Sequence, residues 1–471
     1  MILLMDKKYL QTYFESVAPQ RLKWKRRNRS YHKLLEKYFS FIVPENSRVL
    51  EIGCGIGDLL ASLKPNRGVG IDFSSTIIEM ARANYPNLEF IVQDAEKINI
   101  HETFDYIILS DLVGSLWDVQ TVFENIRCVC HERTRVIVSY YNYLWEPLML
   151  MGEFFKLKLK QPIQNWLSSD DIINILSISG FETIRTDNKI LLPKYIPVLT
   201  WFFNNIVANI PIIRHISLTN FIIARPIINK KTDYSVSIII PAKNEKENIE
   251  NAIIRTPSFG TEQEFIYVEG NSSDGTYNEI LRVKEKYSTK NIKAIKQTGK
   301  GKGNAVREGF ENATGDILFI LDADLTTPPE DMPKFYEAIQ NNKGEFINGC
   351  RLVYPMEKQA MRFLNLIANK TFSVVFSFLL GQPLKDTLCG TKVLSKKDYE
   401  IIKNNRKYFG DFDPFGDFDL LFGAAKLNLK IVEINVRYKD RQYGTTQISR
   451  FKHGWLLFQM TLFAARKLKF F

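Results

Sequence analysis

Two short apolar segments of this sequence run directly into turns built from small or polar residues, and a helical pattern follows each turn. The first starts at Arg48 and reads RVLEIGCGIG; the second starts at Val236 and reads VSIIIPAKNE. A strand that leads through such a turn into a helix is the opening unit of an α/β layer fold. Because this unit opens twice in 471 residues, we predict two α/β domains.

The two predicted domains carry different turn motifs, so they are different units and not a repeat. We place the first at residues 1–226, a polar and basic linker at 227–233, and the second at 234–471. The net charge of +11 favours anionic partners such as nucleotides and phosphates. Five cysteines are an odd and sparse set, which excludes a disulfide scaffold and favours a reducing cytoplasm.

Two uncharged segments bear on membrane contact. Residues 195–213 are apolar but interrupted by Pro197 and Pro211, and residues 371–384 are apolar but short. A spanning helix needs about 20 consecutive apolar residues. We therefore expect no spanning helix, and we place the protein in the cytoplasm, peripheral on the inner face of the membrane.

The first turn is suited to a nucleoside ligand. Three glycines alternate in it with other residues: Gly53, Gly55 and Gly57. Such glycines let the backbone turn sharply and approach a ligand closely. The next strand ends in Asp72, about twenty residues further on, which is the spacing of a carboxylate that accepts from ribose hydroxyls. A third strand ends in Asp94, where an acid can accept from an adenine amine.

These strand ends, in this order, make the first half similar to the class I S-adenosylmethionine-dependent methyltransferases, over about residues 1–226. The alternating glycines, preceded by Glu51, favour a small cationic ligand over a pyrophosphate. The resemblance implies that Glu51 and the glycine turn hold the methionine part of S-adenosylmethionine. It also implies that Asp72 holds the ribose, and that Asp94 with Ala95 holds the adenine.

The methyl acceptor stays open. Enzymes that methylate nucleic-acid amines carry Asn-Pro-Pro-Tyr after the fourth strand, whereas the segment here reads LSDLVG from Leu109. We therefore expect no nucleic-acid partner. His101, Asp111 and His131 are titratable and near strand ends, but an ordinary strand-end or surface role explains each of them better, and no general base is assigned. A half that binds S-adenosylmethionine without transferring methyl is the alternative.

The second half also places polar residues at the ends of consecutive strands. Pro241, Asn244 and Glu245 follow its first strand. Asp274 follows the next strand, where its carboxylate can accept from a nucleobase N–H. Lys302 lies in the loop KGKGN, whose glycines and lysines are suited to phosphate contact.

The strand after that loop runs into Asp322-Ala323-Asp324. A diphosphate leaving group carries concentrated negative charge that must be neutralised as its bond to a sugar breaks. Hard carboxylate oxygens can hold Mg²⁺ or Mn²⁺ against both phosphates. Asp322 and Asp324 are therefore the candidate metal ligands.

With these motifs the second half resembles the inverting family-2 glycosyltransferases of the GT-A fold, over about residues 234–460. It is most similar to the dolichyl- or polyprenyl-phosphate mannosyl- and glucosyltransferases. The resemblance implies a nucleoside at Asp274 and the Pro241–Glu245 segment, with the diphosphate near Lys302. Thr326 stands where those enzymes often carry Gln, and the sequence around Cys389 leans towards a UDP-sugar, with GDP open.

Four basic residues match positions at which the lipid-phosphate enzymes carry acceptor contacts: Arg351, Arg362, Lys392 and Arg441. Guanidinium forks match phosphate oxygens, so the resemblance implies a polyprenyl phosphate acceptor. A phosphate monoester is largely ionised at neutral pH and attacks without a base. A glycan hydroxyl, the alternative acceptor, needs a general base, for which Asp417 and Asp419 are the candidates.

A helix is predicted at Phe363–Leu380, between these acceptor motifs. Four polar residues recur on it every four positions, in an otherwise apolar sequence: Asn365, Asn369, Ser373 and Ser377. A narrow polar stripe of this kind suits either a bilayer interface or a deep core. We favour the interface, because the helix lies beside the predicted phosphate-binding arginines.

Overall fold

The computed structural model describes residues 7–160, 164–354, 363–406, 416–439, 441, 443 and 450–470. The chain divides into two compact units, with the division between Ile228 and Asn229. Each unit has a seven-stranded sheet with helices, so the prediction of two α/β domains is confirmed.

The sheet of the first unit has the strand order β3-β2-β1-β4-β5-β7-β6. Its strands are β1 (Arg48–Ile52), β2 (Arg67–Asp72), β3 (Glu89–Val92), β4 (Phe104–Ser110), β5 (Cys130–Tyr141), β6 (Phe181–Lys189) and β7 (Thr219–Pro226). The helices are α1 (Lys7–Arg27), α2 (Arg29–Ile42), α3 (Asp58–Ser62), α4 (Ser75–Asn84), α5 (Val119–Ile126), α6 (Glu146–Phe154), α7 (Ser169–Ile178) and α8 (Leu199–Asn205). Only β7 is antiparallel to its neighbours, β5 and β6, within this sheet.

The strand order of the first sheet fixes where a ligand can bind. The chain leaves β1 towards β2 and β3 on one side and returns to β4 on the other. The crossovers therefore diverge at the carboxyl ends of β1 and β4, and a crevice opens there. Val49, Leu50 and Ile52 are fully buried, as expected for a central strand covered on both faces.

The sheet of the second unit has the order β10-β9-β8-β11-β13-β12-β14. Its strands are β8 (Val236–Ala242), β9 (Gln263–Glu269), β10 (Asn291–Lys296), β11 (Ile317–Ile320), β12 (Phe346–Cys350), β13 (Lys392–Ser395) and β14 (Ile431–Asn435). The helices are α9 (Ile249–Arg255), α10 (Thr276–Lys286), α11 (Lys302–Glu311), α12 (Met332–Gln340), α13 (Phe363–Leu380), α14 (Lys396–Asn404), α15 (Asp417–Lys426) and α16 (Arg450–Leu468). Only β13 runs antiparallel to its neighbours, β11 and β12.

Helix α13 has the predicted bounds, but the three described residues of its polar stripe, Asn369, Ser373 and Ser377, bond to protein groups. The Asn369 side-chain amide donates to the Asp386 carboxylate at 3.0 Å. The Ser377 hydroxyl bonds both the carbonyl and the N–H of Leu384, at 3.0 and 2.9 Å. The stripe therefore fastens residues 384–386 to the helix. Among the described residues, no helix combines the length and apolarity needed to cross a bilayer.

Candidate functional sites

A cavity of about 270 Å³ lies at the carboxyl ends of β1 to β4 in the first unit. Five of the residues singled out from the sequence line it: Gly53, Asp72, Asp94, Ala95 and Asp111. They come together because parallel strands end at the same edge of a sheet, so strand-end residues far apart in sequence become neighbours.

Asp72 is held by backbone donors at the floor of this cavity. Its carboxylate accepts from the N–H of Gly55 at 3.2 Å and from the N–H of Ser74 at 3.1 Å. Arg21 of α1 lies 3.9 Å away. Burial raises the pKa of Asp72 above its usual value, although Arg21 and the two backbone donors oppose that rise. The carboxylate is thus fixed in place with its approach open to the cavity.

The glycine turn passes over Glu51, which does not itself line the cavity. The three glycines adopt positive φ angles: Gly53 at 69°, Gly55 at 54° and Gly57 at 83°. Glu51 is buried and accepts from the N–H of Leu60 at 3.0 Å, in helix α3. Burial raises the pKa of Glu51 to about 8. The carboxyl therefore supports the turn from below.

Helix α1 covers the cavity, and its contribution was missed in the sequence. Leu10 and Phe14 line the cavity, and the Lys7 ammonium pairs with Asp94 at 2.5 Å and with Glu96 at 2.7 Å. The spacing of the apolar Leu10 and Phe14 was the available signal for a covering helix. Asp94 and Asp72, which the resemblance assigns to S-adenosylmethionine, are thus paired with Lys7 and Arg21 of α1.

Of the three titratable candidates near the strand ends, Asp111 alone lines the cavity. The Tyr31 hydroxyl donates to its carboxylate at 2.7 Å, and burial raises the pKa of Asp111 to about 6. His131 lies 3.2 Å from Asp105, which is at the start of β4, the end of that strand opposite to the cavity. His101 lines a separate surface depression.

In the second unit, Asp322 follows β11 and lies 2.6 Å from the Lys302 ammonium at the start of α11. Burial opposes ionisation of Asp322, but Lys302, Lys392 and Arg351 outweigh it and hold its pKa below the usual value. Asp322 is therefore a carboxylate at neutral pH. The structure thus places the Lys302 loop next to the Asp-x-Asp motif, as expected if both contact one diphosphate.

Gly390 packs directly on this ion pair. A Cβ atom at position 390 would lie 2.0 Å from the Asp322 Oδ2 and 2.5 Å from the Lys302 Nζ. Both distances are far below van der Waals contact, so any side chain there would separate the pair or displace the loop. The backbone at residue 390 thus forms one wall of the site.

Asp324 contacts a different cation. Arg441 donates from one nitrogen to Asp324 at 2.5 Å and from another to Glu245 at 2.8 Å. Thr326 donates from its N–H and hydroxyl to Asp324 at 3.1 and 2.8 Å. Arg441 therefore joins the segment after β8 to the Asp-x-Asp motif.

The proposed nucleoside end is built on helix termini and turns. Asp274 accepts from the N–H of Thr276, in the first turn of α10, at 3.0 Å and from the N–H of Lys246 at 3.2 Å. Asn244 has a positive φ of 55°, and its amide oxygen accepts from Ser273 at 2.9 Å. Pro241 lies near the end of β8. The turns after β8 and β9 are thus bonded together.

Besides Arg441, two more of the predicted acceptor cations have partners within the protein. Arg351 makes a bidentate ion pair with the buried Asp386. Its Nε donates to Oδ2 at 2.7 Å and its Nη2 donates to Oδ1 at 2.8 Å. Lys392 is fully buried and donates to the carbonyl of Cys389 at 2.5 Å. Both cations hold residues 386–390, which pack against Asp322. They therefore shape the site as well as add positive charge to it.

The remaining acceptor candidates are only partly described. Asp419 lies 3.6 Å from Arg307 and 3.5 Å from Arg406, which fits a role in orienting cations. Arg362 and the side chain of Asp417 lie outside the described residues.

The Asp322 and Asp324 carboxylates have the chemistry that Mg²⁺ or Mn²⁺ prefers, since both ions take hard oxygen ligands. Among the described residues, no group of three or more His, Cys, Asp or Glu side chains could hold a metal alone. Two carboxylates nevertheless fit a cation that completes its shell with phosphate oxygens and water, as Mg²⁺ commonly does.

Comparison with known proteins gives one family match in each unit. Residues 237–402 match the glycosyl transferase family 2, and residues 49–133 match a methyltransferase domain. A dolichol-phosphate mannosyltransferase of Pyrococcus furiosus is 34% identical over 174 residues, which are 36% of this chain and 49% of the relative. The chain thus spans about half the length of this curated relative.

Two solved structures are similar at low identity. A SAM-dependent methyltransferase of Thermotoga maritima, a possible histamine N-methyltransferase, is 17% identical with a TM-score of 0.37; the match covers 46% of this chain and 99% of that one. The magnesium protoporphyrin IX methyltransferase of Synechocystis PCC 6803 with bound SAH is 16% identical with a TM-score of 0.35; it covers 47% and 100%.

The chain therefore carries a methyltransferase domain followed by a glycosyl transferase family 2 domain, as the sequence predicted. Both are domains of transferases.

Proposed function

We propose that the second unit transfers a sugar from a nucleotide-diphosphate sugar to a polyprenyl phosphate, with inversion at the anomeric carbon. The observation that carries this proposal is the position of Asp322 and Asp324 at the end of β11, with Lys302 and Arg441 in contact with them. Carboxylates for a metal and cations for phosphates lie in one place there, as a diphosphate leaving group requires.

The proposed reaction exchanges one bond for another. An ionised oxygen of the carrier phosphate attacks the anomeric carbon from the face opposite the nucleotide. The bond from that carbon to the β-phosphate oxygen breaks, and its electron pair leaves with the nucleoside diphosphate. A divalent cation held by Asp322 and Asp324 would neutralise the leaving diphosphate. Lys302 stabilises the same charge, and Asp274 orients the nucleobase.

The donor and the metal are tested together. The protein is incubated with labelled UDP- and GDP-sugars in parallel, with a short polyprenyl phosphate, and with Mg²⁺ or chelator. We expect label in the organic phase, dependent on Mg²⁺, from one of the two donors. Absence of lipid-borne label from every donor would reject the proposal.

Two variants separate a phosphate acceptor from a glycan hydroxyl. With a phosphate acceptor no general base is required, so Asp419→Asn should cost less activity than Arg362→Ala, which removes a proposed phosphate contact. Initial rates with saturating donor and varied polyprenyl phosphate give the comparison. If Asp419→Asn abolishes turnover while Arg362→Ala retains it, the acceptor is a hydroxyl.

We also propose that the first unit binds S-adenosylmethionine and transfers its methyl group to an acceptor yet to be identified. Asp72 is the proposed ribose contact, fixed by Gly55 and Ser74. A hydrogen bond to a charged group contributes about 1.5–3 kcal/mol. Asp72→Ala should therefore weaken S-adenosylmethionine binding by about 10- to 100-fold in calorimetry.

Two controls accompany the Asp72 variant. Glu89→Ala alters an exposed acid of the same sheet and should bind as the unchanged protein does. Glycosyl transfer should persist in Asp72→Ala, because that site is in the other unit. Equal affinity of Asp72→Ala and the unchanged protein would remove Asp72 from the binding site.

The backbone wall at Gly390 gives a further prediction. Gly390→Ala places a methyl group against Asp322 and Lys302 and should displace one of them by about 1 Å. Such a displacement of groups near the reaction costs about a hundredfold in rate. Glu311→Gln, at an exposed ion pair of the same unit, is the control. Initial rates of lipid labelling measure both variants, and unchanged turnover in Gly390→Ala would contradict this geometry.

A further inference from the structure

The first unit exposes an apolar surface formed by residues 143–157 and 190–217, here called the apolar face. Its exposed large side chains include Phe154 at 81%, Val198 at 79%, Ile212 at 85% and Trp201 at 60%. Neither segment belongs to the central sheet: the first follows β5, and the second connects β6 to β7. Exposed apolar surface on this scale marks an interaction site.

Hydrogen bonds join the two segments into one surface. The Asn142 amide donates to the carbonyl of His215 at 2.7 Å, and the Trp145 indole donates to the carbonyl of Ile216 at 2.8 Å. The junction between α1 and α2 is attached to both segments. Arg27 donates to the carbonyl of Lys156 at 2.8 Å, and Lys194 donates to Asn28 at 2.6 Å.

A row of cations borders the apolar face. Arg29, Lys33 and Lys37 recur every four residues along α2, and all three are exposed. A groove of about 670 Å³ separates this row from Tyr195 and Trp201 on the opposite wall. None of the three cations forms a salt bridge with any residue that the structure describes.

The apolar face is also poor in negative charge. Residues 190–217 contain no Asp or Glu but include Lys194 and Arg214. The other segment contains two acids, Glu146 and Glu153, and one base, Lys156. Glu153 is paired with Lys158 at 3.1 Å. The positive charge of this surface is therefore complementary to an anionic partner. Its exposed apolar side chains are complementary to an apolar part of the same partner.

We propose that the apolar face docks the protein on the surface of a bilayer that contains anionic phospholipids. Aromatic and aliphatic side chains such as Trp201 and Ile212 enter the interface, while Arg29, Lys33 and Lys37 contact lipid phosphates. This inference deepens the proposed use of a lipid-borne acceptor, which also requires contact with a bilayer. It assigns that contact to the methyltransferase unit and not to helix α13.

The test is flotation of the full chain with vesicles that contain no polyprenyl phosphate. One vesicle type is phosphatidylcholine alone, and the other includes phosphatidylglycerol. The apolar variant is Val198→Ser/Trp201→Ser/Ile212→Ser, and the charge variant is Arg29→Gln/Lys33→Gln/Lys37→Gln. Matched controls alter exposed residues elsewhere: Ile178→Ser/Ile254→Ser, and Lys284→Gln/Lys343→Gln/Lys397→Gln.

We expect binding to the anionic vesicles to exceed binding to the neutral ones. Each removed cation should lower the partition coefficient about fivefold, and so about a hundredfold for all three. The apolar variant should lose binding to both vesicle types, and the two controls should bind normally. Circular dichroism verifies that each variant is folded.

Three results would overturn the proposal: equal binding to both vesicle types, vesicle binding that survives both variants, or no vesicle binding at all. Sedimentation of the same proteins tests whether the apolar face binds a second copy of this chain instead. In that case the unchanged protein would be a dimer and the apolar variant a monomer. The vesicles contain no acceptor, so flotation does not depend on sugar transfer. If the unchanged protein floats with anionic vesicles but transfers no sugar to polyprenyl phosphate in the labelling assay, the proposed function is rejected and this inference stands.

Discussion

Asp324→Asn should lower glycosyl transfer by about a thousandfold while leaving the protein folded. The substitution keeps the shape of the side chain and an oxygen that can accept from Thr326. It removes the negative charge that is proposed to hold a divalent cation. Loss of one group that stabilises developing charge costs about 10²–10³ in rate, and loss of a metal ligand belongs at the upper end of that range.

The measurement for Asp324→Asn is kcat/KM for transfer of label to polyprenyl phosphate at saturating Mg²⁺. Glu311→Gln is the matched control, because Glu311 is an exposed acid of the same unit that pairs with Lys403. It should transfer sugar at the unchanged rate. S-adenosylmethionine binding should be equal in all three proteins. Activity of Asp324→Asn within a few-fold of the control would show that the carboxylate is dispensable.

Asp386→Ala should destabilise the second unit by about 3–5 kcal/mol, which is the cost of leaving a buried charge unpaired. Asp386 is fully buried, and its carboxylate accepts two hydrogen bonds from the Arg351 guanidinium. It also accepts from Asn369 of α13. Hydrogen–deuterium exchange of β12 and β13 peptides in the full chain measures the loss. Glu311→Ala, at an exposed pair, should change stability by less than about 1 kcal/mol.

Lowering the pH should reproduce part of the stability loss expected for Asp386→Ala. Burial raises the cost of the Asp386 charge, but Arg351 outweighs it and lowers the pKa of that carboxyl to about 2. A depressed pKa means that the stabilisation is complete above the unfolded value near 4 and disappears as the pH falls towards 2. The protection of β12 and β13 should follow that window. If Asp386→Ala shows the same acid dependence as the unchanged protein, another group is responsible.

The geometry of parallel strands explains why the grouping of many candidate site residues could be predicted from sequence. Asp72, Asp94 and Asp322 each follow an apolar strand, and parallel strands bring their ends to one edge. The bounds of α13 could be predicted because its apolar run is long. The direction of its polar stripe could not, because Ser377 and Asn369 bond the loop that follows, which no periodicity indicates.

The missed contacts are those between segments that are distant in sequence. Arg441 and Asp324 are 117 residues apart, and Lys7 and Glu96 are 89 apart. Gly390 shows no special pattern in the sequence, and its role follows from the approach of its backbone to Asp322. Such contacts depend on how loops pack over the sheet edge. No periodicity or motif in a single sequence indicates that packing.

The central claim is that a carrier already ionised at neutral pH attacks the sugar while a divalent cation neutralises the leaving diphosphate. The most direct measurement compares label transfer to a polyprenyl phosphate with transfer to the matching polyprenol, at pH 7, with Mg²⁺ and with chelator. We predict label only in the phosphate carrier and only with Mg²⁺. Equal labelling of the polyprenol, or full transfer in chelator, would contradict the claim.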